Sequence, residues 1–262
     1  MIDTTLPPIF FIIVAGAFGA VVGSFLNVCI YRLPIGKSVA WPASACTSCG
    51  RELSWYENVP IVSYTVLRGR CRTCHTHISL QYPIVEAITA AMFAGAFYYW
   101  GPTALFASRV IFGCMLIVLF GIDLEHHLLP NVITLPGIIV GFAFSFFTEP
   151  GWLASLIGIL VGGGSLYGVA EAYYWVRKEE GLGMGDVKML AMIGAFLGWK
   201  LTLVALMMAS LSGTVIGVAL IVSKRGGMKY ALPFGTFLAI GAAVSATVGS
   251  AVLNWYLTFW SR

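Results

Sequence analysis

Two aspartates and four cysteines are the residues in this chain whose types and spacing could carry chemistry. Asp123 closes an apolar run, in Phe120-Gly121-Ile122-Asp123-Leu124-Glu125-His126-His127. Asp186 opens another, in Gly181-Leu182-Gly183-Met184-Gly185-Asp186-Val187-Lys188. An ionisable group at the edge of hydrocarbon is costly to keep there and usually marks function. Two carboxylates placed close together cannot both ionise comfortably, so one keeps a proton near neutral pH. Such a pair could activate a water with one member while the other polarises a peptide carbonyl. The same positions would also suit two plain helix caps or interface markers, and spacing leaves both readings open. The alternate glycines before Asp186 carry little bulk, which would let a substrate backbone approach. Glu86 and Glu171, inside or beside apolar segments, are each expected to pair with a basic group.

The cysteines form Cys46-Thr-Ser-Cys49 and Cys71-Arg-Thr-Cys74, two CxxC pairs separated by 21 residues. Paired knuckles of this kind place four soft thiolates where they can close tetrahedrally on zinc, and the cytosol keeps such thiols reduced. Four thiolates leave no open position, so one zinc per chain is expected to be structural and not catalytic. A redox role for a CxxC pair is the alternative, and it gives no reason for the duplication. Gly50 would help the chain turn past the first knuckle. His75 and His77 follow the second and read as exposed loop histidines, although either could replace a cysteine as ligand. Cys29 and Cys114 lie in apolar runs and read as small core hydrophobes.

The elements that must hold these residues are set by composition. Charged residues are 10% of the 262, against roughly 25% in a soluble domain, while 59% are hydrophobic and the mean hydropathy is +0.89. Most of the surface must therefore face lipid. The formal net charge of +4 is too small to argue for a nucleic-acid partner. The fold expected is an all-α polytopic membrane protein of about eight transmembrane helices, over residues 9–30, 84–100, 103–122, 131–148, 152–176, 187–199, 201–222 and 234–256. The sixth has only 13 residues, about 20 Å of helix, so it reads as a thinned crossing or a half-helix. Residues 1–8 contain no Lys or Arg and no small-residue cleavage site follows, so the first segment is expected to be a retained helix and not a signal peptide.

Twelve of the fifteen Lys and Arg residues fall in three loops: Arg32, Lys37, Arg51, Arg68, Arg70 and Arg72, then Arg177, Lys178 and Lys188, then Lys224, Arg225 and Lys229. The positive-inside rule makes those loops cytoplasmic and both termini periplasmic, with Tyr98, Tyr99, Trp100, Tyr256 and Trp260 as interfacial aromatics. Three regions follow: a first helix (1–30), a cytoplasmic zinc-binding loop domain (31–83) and a transmembrane bundle (84–262). The loop domain is too small to supply much core, so metal would contribute its folding free energy. No HExxH, Walker loop or Ser/His/Asp order occurs, and the glycines of Val161-Gly162-Gly163-Gly164-Ser165 read as close helix packing. A transporter using the two aspartates for a cation would predict carboxylates nearer the midplane and an inverted repeat. A membrane anchor with a zinc loop would leave both aspartates idle.

Taken together, Gly23-Ser24-Phe25-Leu26-Asn27-Val28, Tyr31-Arg32-Leu33-Pro34, the two CxxC pairs, Leu67-Arg68-Gly69-Arg70-Cys71, Tyr82-Pro83-Ile84-Val85-Glu86, Gly121-Ile122-Asp123, Gly185-Asp186-Val187-Lys188 and Pro233-Phe234-Gly235 resemble the bacterial type IV prepilin leader peptidases. The resemblance spans essentially the whole chain. It implies an inner-membrane aspartic peptidase that cuts the basic leader of prepilins and type II secretion pseudopilins after a glycine, at the cytoplasmic face. It also implies N-methylation of the new first residue with S-adenosylmethionine. The family's two catalytic aspartates match Asp123 and Asp186, and its zinc cysteines match Cys46, Cys49, Cys71 and Cys74. The implied partners are substrates with a basic leader and a hydrophobic helix, and the lipids of the membrane. Two positions depart from the family pattern: Asn131 stands where an Asp is usual, and Thr236 where Pro-Phe-Gly-Pro is common. Neither is expected to touch an assigned catalytic group.

Overall fold

Small residues recurring three or four positions apart let two apolar helices approach until their backbones touch, and that device organises this protein. A computed structural model describes residues 7–179, 183–223 and 232–260, with residue 260 described by its backbone alone. The chain divides into two compact units, Met1–Val118 and Leu119–Arg262. The described helices are α1 (Pro8–Arg32), a 3-10 turn (Trp55–Asn58), α2 (Val62–Val66), α3 (Gln81–Trp100), α4 (Ala104–His126), α5 (Asn131–Phe144), α6 (Trp152–Arg177), α7 (Met184–Val222) and α8 (Phe234–Trp260). Among the described residues there is no strand, only two isolated bridges in the loop after α1.

In the first unit α1 runs antiparallel against α3. A Cβ on Gly19 would lie 2.7 Å from the Phe93 Cβ, and one on Gly23 would lie 2.7 Å from the Glu86 Cα. Asn27 continues the seam, its side-chain N–H₂ donating to the Gly23 carbonyl at 3.3 Å and to the Tyr82 carbonyl at 3.1 Å. Glu86 is buried there. It accepts the Ile61 backbone N–H at 2.7 Å, so its partner is a loop amide and not the basic group expected. Glu171 likewise accepts the Trp175 indole N–H at 3.0 Å.

In the second unit the first half of α7 is the buried centre, with Met189, Leu190, Met192, Ile193 and Ala195 wholly inaccessible. On one side α6 crosses it antiparallel, glycine on glycine: a Cβ on Gly158 would lie 2.4 Å from the Gly194 carbonyl oxygen, and one on Gly162 would lie 2.5 Å from that of Leu190. The Ser155 hydroxyl donates to the Ala195 carbonyl across the same contact, at 2.7 Å. Gly162 and Gly163 of the α6 glycine run are thus packing, as expected. Replacing Gly158 by Ala should cost ~1–3 kcal/mol, because the obstructing atoms are backbone and cannot turn aside. Gly164 has open space where a Cβ would go, so Gly164→Ala should leave the thermal midpoint in detergent unchanged or slightly raised.

The expected sixth and seventh segments are the two helical halves of α7, which meet at Gly198, where φ is 72° and ψ is 168°. Only glycine adopts that conformation freely, and the Thr202 hydroxyl satisfies the Gly198 carbonyl at 2.7 Å. Beyond the break α7 packs on α8, where a Cβ on Gly241 would lie 2.5 Å from the Ala205 carbonyl oxygen.

Among the described residues, five helices are long and apolar enough to cross a membrane by length and composition alone: α1, α4, α6, α7 and α8. Helix α7 holds two of the expected segments, divided at Gly198, α5 is shorter at 14 residues, and the 20 residues of α3 include Gln81, Glu86, Tyr98 and Tyr99. The outward faces carry large exposed apolar side chains, among them Phe18, Val21, Leu160, Val215 and Trp255, a distribution that suits lipid and not water. Lys224, Arg225 and Lys229 of the third basic loop, Gly181 and Leu182 before Asp186, and the Trp260 side chain lie outside the described residues.

Candidate active site and candidate metal centre

Both aspartates belong to the second unit and are buried, Asp123 at 4% and Asp186 at 9% of full exposure. Asp186 is the third residue of α7, preceded by Gly183 as the cap. The first turn of a helix has N–H groups without intrahelical acceptors and a positive end of the dipole, so a carboxylate is favoured there. Asp123 comes from the other end of a helix, the last turn of α4, but its carboxylate meets the first turn of α8. Its Oδ2 accepts the Thr236 N–H at 2.6 Å and the Thr236 hydroxyl at 2.9 Å. Two helix N-termini thus face the two carboxylates.

The two side chains share one site. Leu129 links them, lying against Gly185 next to Asp186 and against Gly235 beside the Asp123 carboxylate. A Cβ on Gly185 would lie 2.9 Å from the Leu129 Cβ, and one on Gly235 would lie 2.9 Å from Leu129 Cδ1 and 3.0 Å from Asp123 Oδ2. Of the glycines before Asp186, Gly183 is exposed, while Gly185 is half-buried and has Leu129 where a Cβ would go. Gly235 is required for the same reason, since a side chain there would push on both Leu129 and the Asp123 carboxylate.

Two site neighbours were not foreseen. Thr236, expected to touch no assigned group, makes two hydrogen bonds to Asp123. Its signal was present in the sequence: a Thr three residues into a helix opened by Pro233 is placed to present both a hydroxyl and an unpaired N–H. Asn131 opens α5, and its side-chain carbonyl accepts Lys188 Nζ at 2.9 Å, which ties the start of α5 to the turn holding Asp186.

The four cysteines converge in the first unit. Their sulfurs all lie within 4.8 Å of one another, with Cys46 and Cys74 Sγ 3.8 Å apart. A tetrahedral zinc with Zn–S bonds of about 2.3 Å has sulfur edges of about 3.8 Å, so the donor set fits a closed metal site. The knuckles are built alike. Gly50 N–H donates to the Cys46 carbonyl at 2.9 Å, and His75 N–H to the Cys71 carbonyl at 3.0 Å. Gly50 and His75 both have positive φ, so His75 stands where the first knuckle uses glycine, with an exposed side chain. Neither His75 nor His77 joins the cluster. Thr76, through its hydroxyl and its N–H, draws the Cys74 thiol down to about 6, which favours the thiolate that metal binding needs. Beside the first knuckle, Arg51 bonds the Glu57 carboxylate at 2.6 Å and holds it below the usual carboxylate range.

An all-helical chain with five apolar helices long enough to span, a four-cysteine loop and two buried carboxylates at helix N-termini is a multi-pass membrane protein with a chemically equipped interior. Residues 17–100 match the bacterial peptidase A24 N-terminal domain and residues 110–218 the type IV leader peptidase family. The chain is 34% identical to a prepilin leader peptidase/N-methyltransferase of Pseudomonas putida, over 94% of each chain. It is 34% identical to one of Aeromonas hydrophila, over 97% of this chain and 96% of the relative. A third, from Myxococcus xanthus, is 37% identical over 87% of this chain and 70% of the relative. No solved structure matches the chain significantly. The chain belongs to the type IV leader peptidase family.

Proposed function

We infer that this chain removes the leader peptide of type IV prepilins and N-methylates the new N terminus. The observation that carries the reading is the burial of Asp123 and Asp186 about a shared neighbour, Leu129, within a chain of this family. As an acid–base pair, one carboxylate takes a proton from water as the water oxygen bonds to the scissile carbonyl carbon. The other carboxyl gives its proton to the carbonyl oxygen. Collapse of the resulting diol breaks the C–N bond, with the first proton delivered to the leaving nitrogen and the diol proton returned to the second carboxyl. The helix N-termini behind the pair favour the negative charge that one member carries throughout.

The substrates are prepilins and pseudopilins, recognised by a basic leader and a hydrophobic helix that lies along the bundle among the lipids, with cleavage after a glycine. S-adenosylmethionine would supply the methyl group. The cavity of about 420 Å³ lined by Phe18, Val22, Phe93, Phe106, Val110 and Met115 is wholly apolar and does not fit that charged, polar donor. Zinc held by Cys46, Cys49, Cys71 and Cys74 would brace the loop domain of residues 31–83, which lies in sequence between the first helix (1–30) and the bundle (84–262), and would leave the hydrolysis to carboxylates. Coexpression with a candidate prepilin tests the whole reading: the product should lose its leader and gain the mass of one methyl group. An unprocessed prepilin beside stable, membrane-inserted protein would sink it.

The site is placed at the cytoplasmic face of the inner membrane, with both termini periplasmic, because the basic residues gather in the loops on that side. Reporter fusions at Arg70 and Arg177 should then read as cytoplasmic, and one at Glu149 as periplasmic. A periplasmic signal at Arg70 would reverse the orientation and part the site from a cytoplasmic leader.

A further inference from the structure

Resting on the reading of Asp123 and Asp186 as an acid–base pair, we propose that Thr236 is a positioning residue that holds Asp123 as the water-activating base and leaves Asp186 as the proton donor. The pair is built asymmetrically. Asp123 Oδ2 receives two donors from a single residue, the Thr236 N–H at 2.6 Å and its hydroxyl at 2.9 Å. Asp186 receives no comparable pair of donors among the described residues. Thr236 is only 6% exposed and Asp123 4%, so bulk water does not compete for these bonds.

The chemistry follows from what each group is able to do. A backbone N–H only donates, so the oxygen facing it is an acceptor and not the protonated oxygen of a carboxylic acid. Thr236 lies in the first turn of α8, where that N–H has no intrahelical acceptor and must find one elsewhere. Hydrogen bonds to an ionised acceptor are roughly twice as strong as neutral ones. Oδ2 is thereby saturated and fixed in place, and Oδ1 of Asp123 is the oxygen left to take a proton from water. The one proton that a close carboxyl pair retains then sits on Asp186, which delivers it to the scissile carbonyl oxygen. The Gly235 neighbour supports the same arrangement, because a Cβ there would lie 3.0 Å from Oδ2 and displace it.

The test uses the purified full-length protein with a prepilin substrate, measuring kcat and KM for Thr236→Val, Thr236→Ala, Thr236→Ser and Asp123→Asn. A lost hydrogen bond to a charged group should lower kcat about tenfold or more in the Val and Ala variants, with KM within about twofold of wild type. Thr236→Ser keeps both donors and should restore kcat to within about threefold of wild type. Wild-type kcat in Thr236→Val beside an inactive Asp123→Asn would overturn this inference and leave the carboxylate pair standing. A Ser variant as slow as the Val variant, or a loss confined to KM, would overturn it as well. An active Asp123→Asn would overturn the acid–base reading itself, and this inference with it. Should the Val variant fail to fold, the comparison of Ala with Ser carries the same outcomes.

Discussion

Asp123→Asn and Asp186→Asn should each slow leader removal by about a thousandfold or more, and the double variant should be little slower than either single one. Each substitution keeps the shape of the side chain and removes the group that takes up or gives the proton. Asparagine at 123 still offers an amide oxygen to the Thr236 N–H and hydroxyl, so the contact with α8 survives and the protein should insert and melt as the wild type does. Non-additivity is the discriminating feature. Two residues acting on one proton transfer lose their joint effect when either is removed, whereas two independent structural caps would add. Near-normal cleavage by either purified variant, or two partial losses that multiply in the double variant, would defeat the pairing.

Removing the metal should have the second largest effect, on a different property. The wild-type chain should carry about one zinc, since four thiolates complete a tetrahedral shell. Serine at Cys46, Cys49, Cys71 or Cys74 should lower metal content and raise the protease sensitivity of residues 40–80. Binding to structural sites of this type is worth about 10–16 kcal/mol in small peptides and is coupled to folding. Acid should act in the same direction. Thiolates take up protons and release metal, and Glu57, held below the usual carboxylate range by Arg51, contributes stability present above its unfolded value that is lost as pH falls through its folded one. Cleavage should persist at a reduced rate in a zinc-free variant whose Asp123 and Asp186 are intact. Absence of metal from carefully reduced wild-type protein would remove the premise. A metal-bound water whose loss stops cleavage without unfolding the loop would make the centre catalytic instead.

The elements carried by periodicity-free, uncharged length were legible from residue type alone. Transfer of some twenty apolar residues into hydrocarbon is a local, additive quantity, and it marks α1, α4, α6 and α8 wherever they pack. The same holds for the cysteine centre, because two CxxC knuckles hold their ligands through short-range turns at Gly50 and His75. The glycines of α6 also announced close packing, although not the partner they met.

Tertiary structure decided what depends on a second element. The break between residues 187–199 and 201–222 falls at Gly198, where a Cβ would lie 2.8 Å from Pro150 Cγ and where the Thr202 hydroxyl satisfies the carbonyl. The same dependence holds at Gly185, where Leu129, from the connection after α4, takes up the space a Cβ would need. Thr236 is the sharpest case. It stands 113 residues from Asp123, and its place in a helix's first turn announces two donors without saying which acceptor they meet. Its two donors acquire a role only when α8 brings its N-terminus against the end of α4, because a buried N–H without an intrahelical acceptor must be satisfied by whatever the fold puts there.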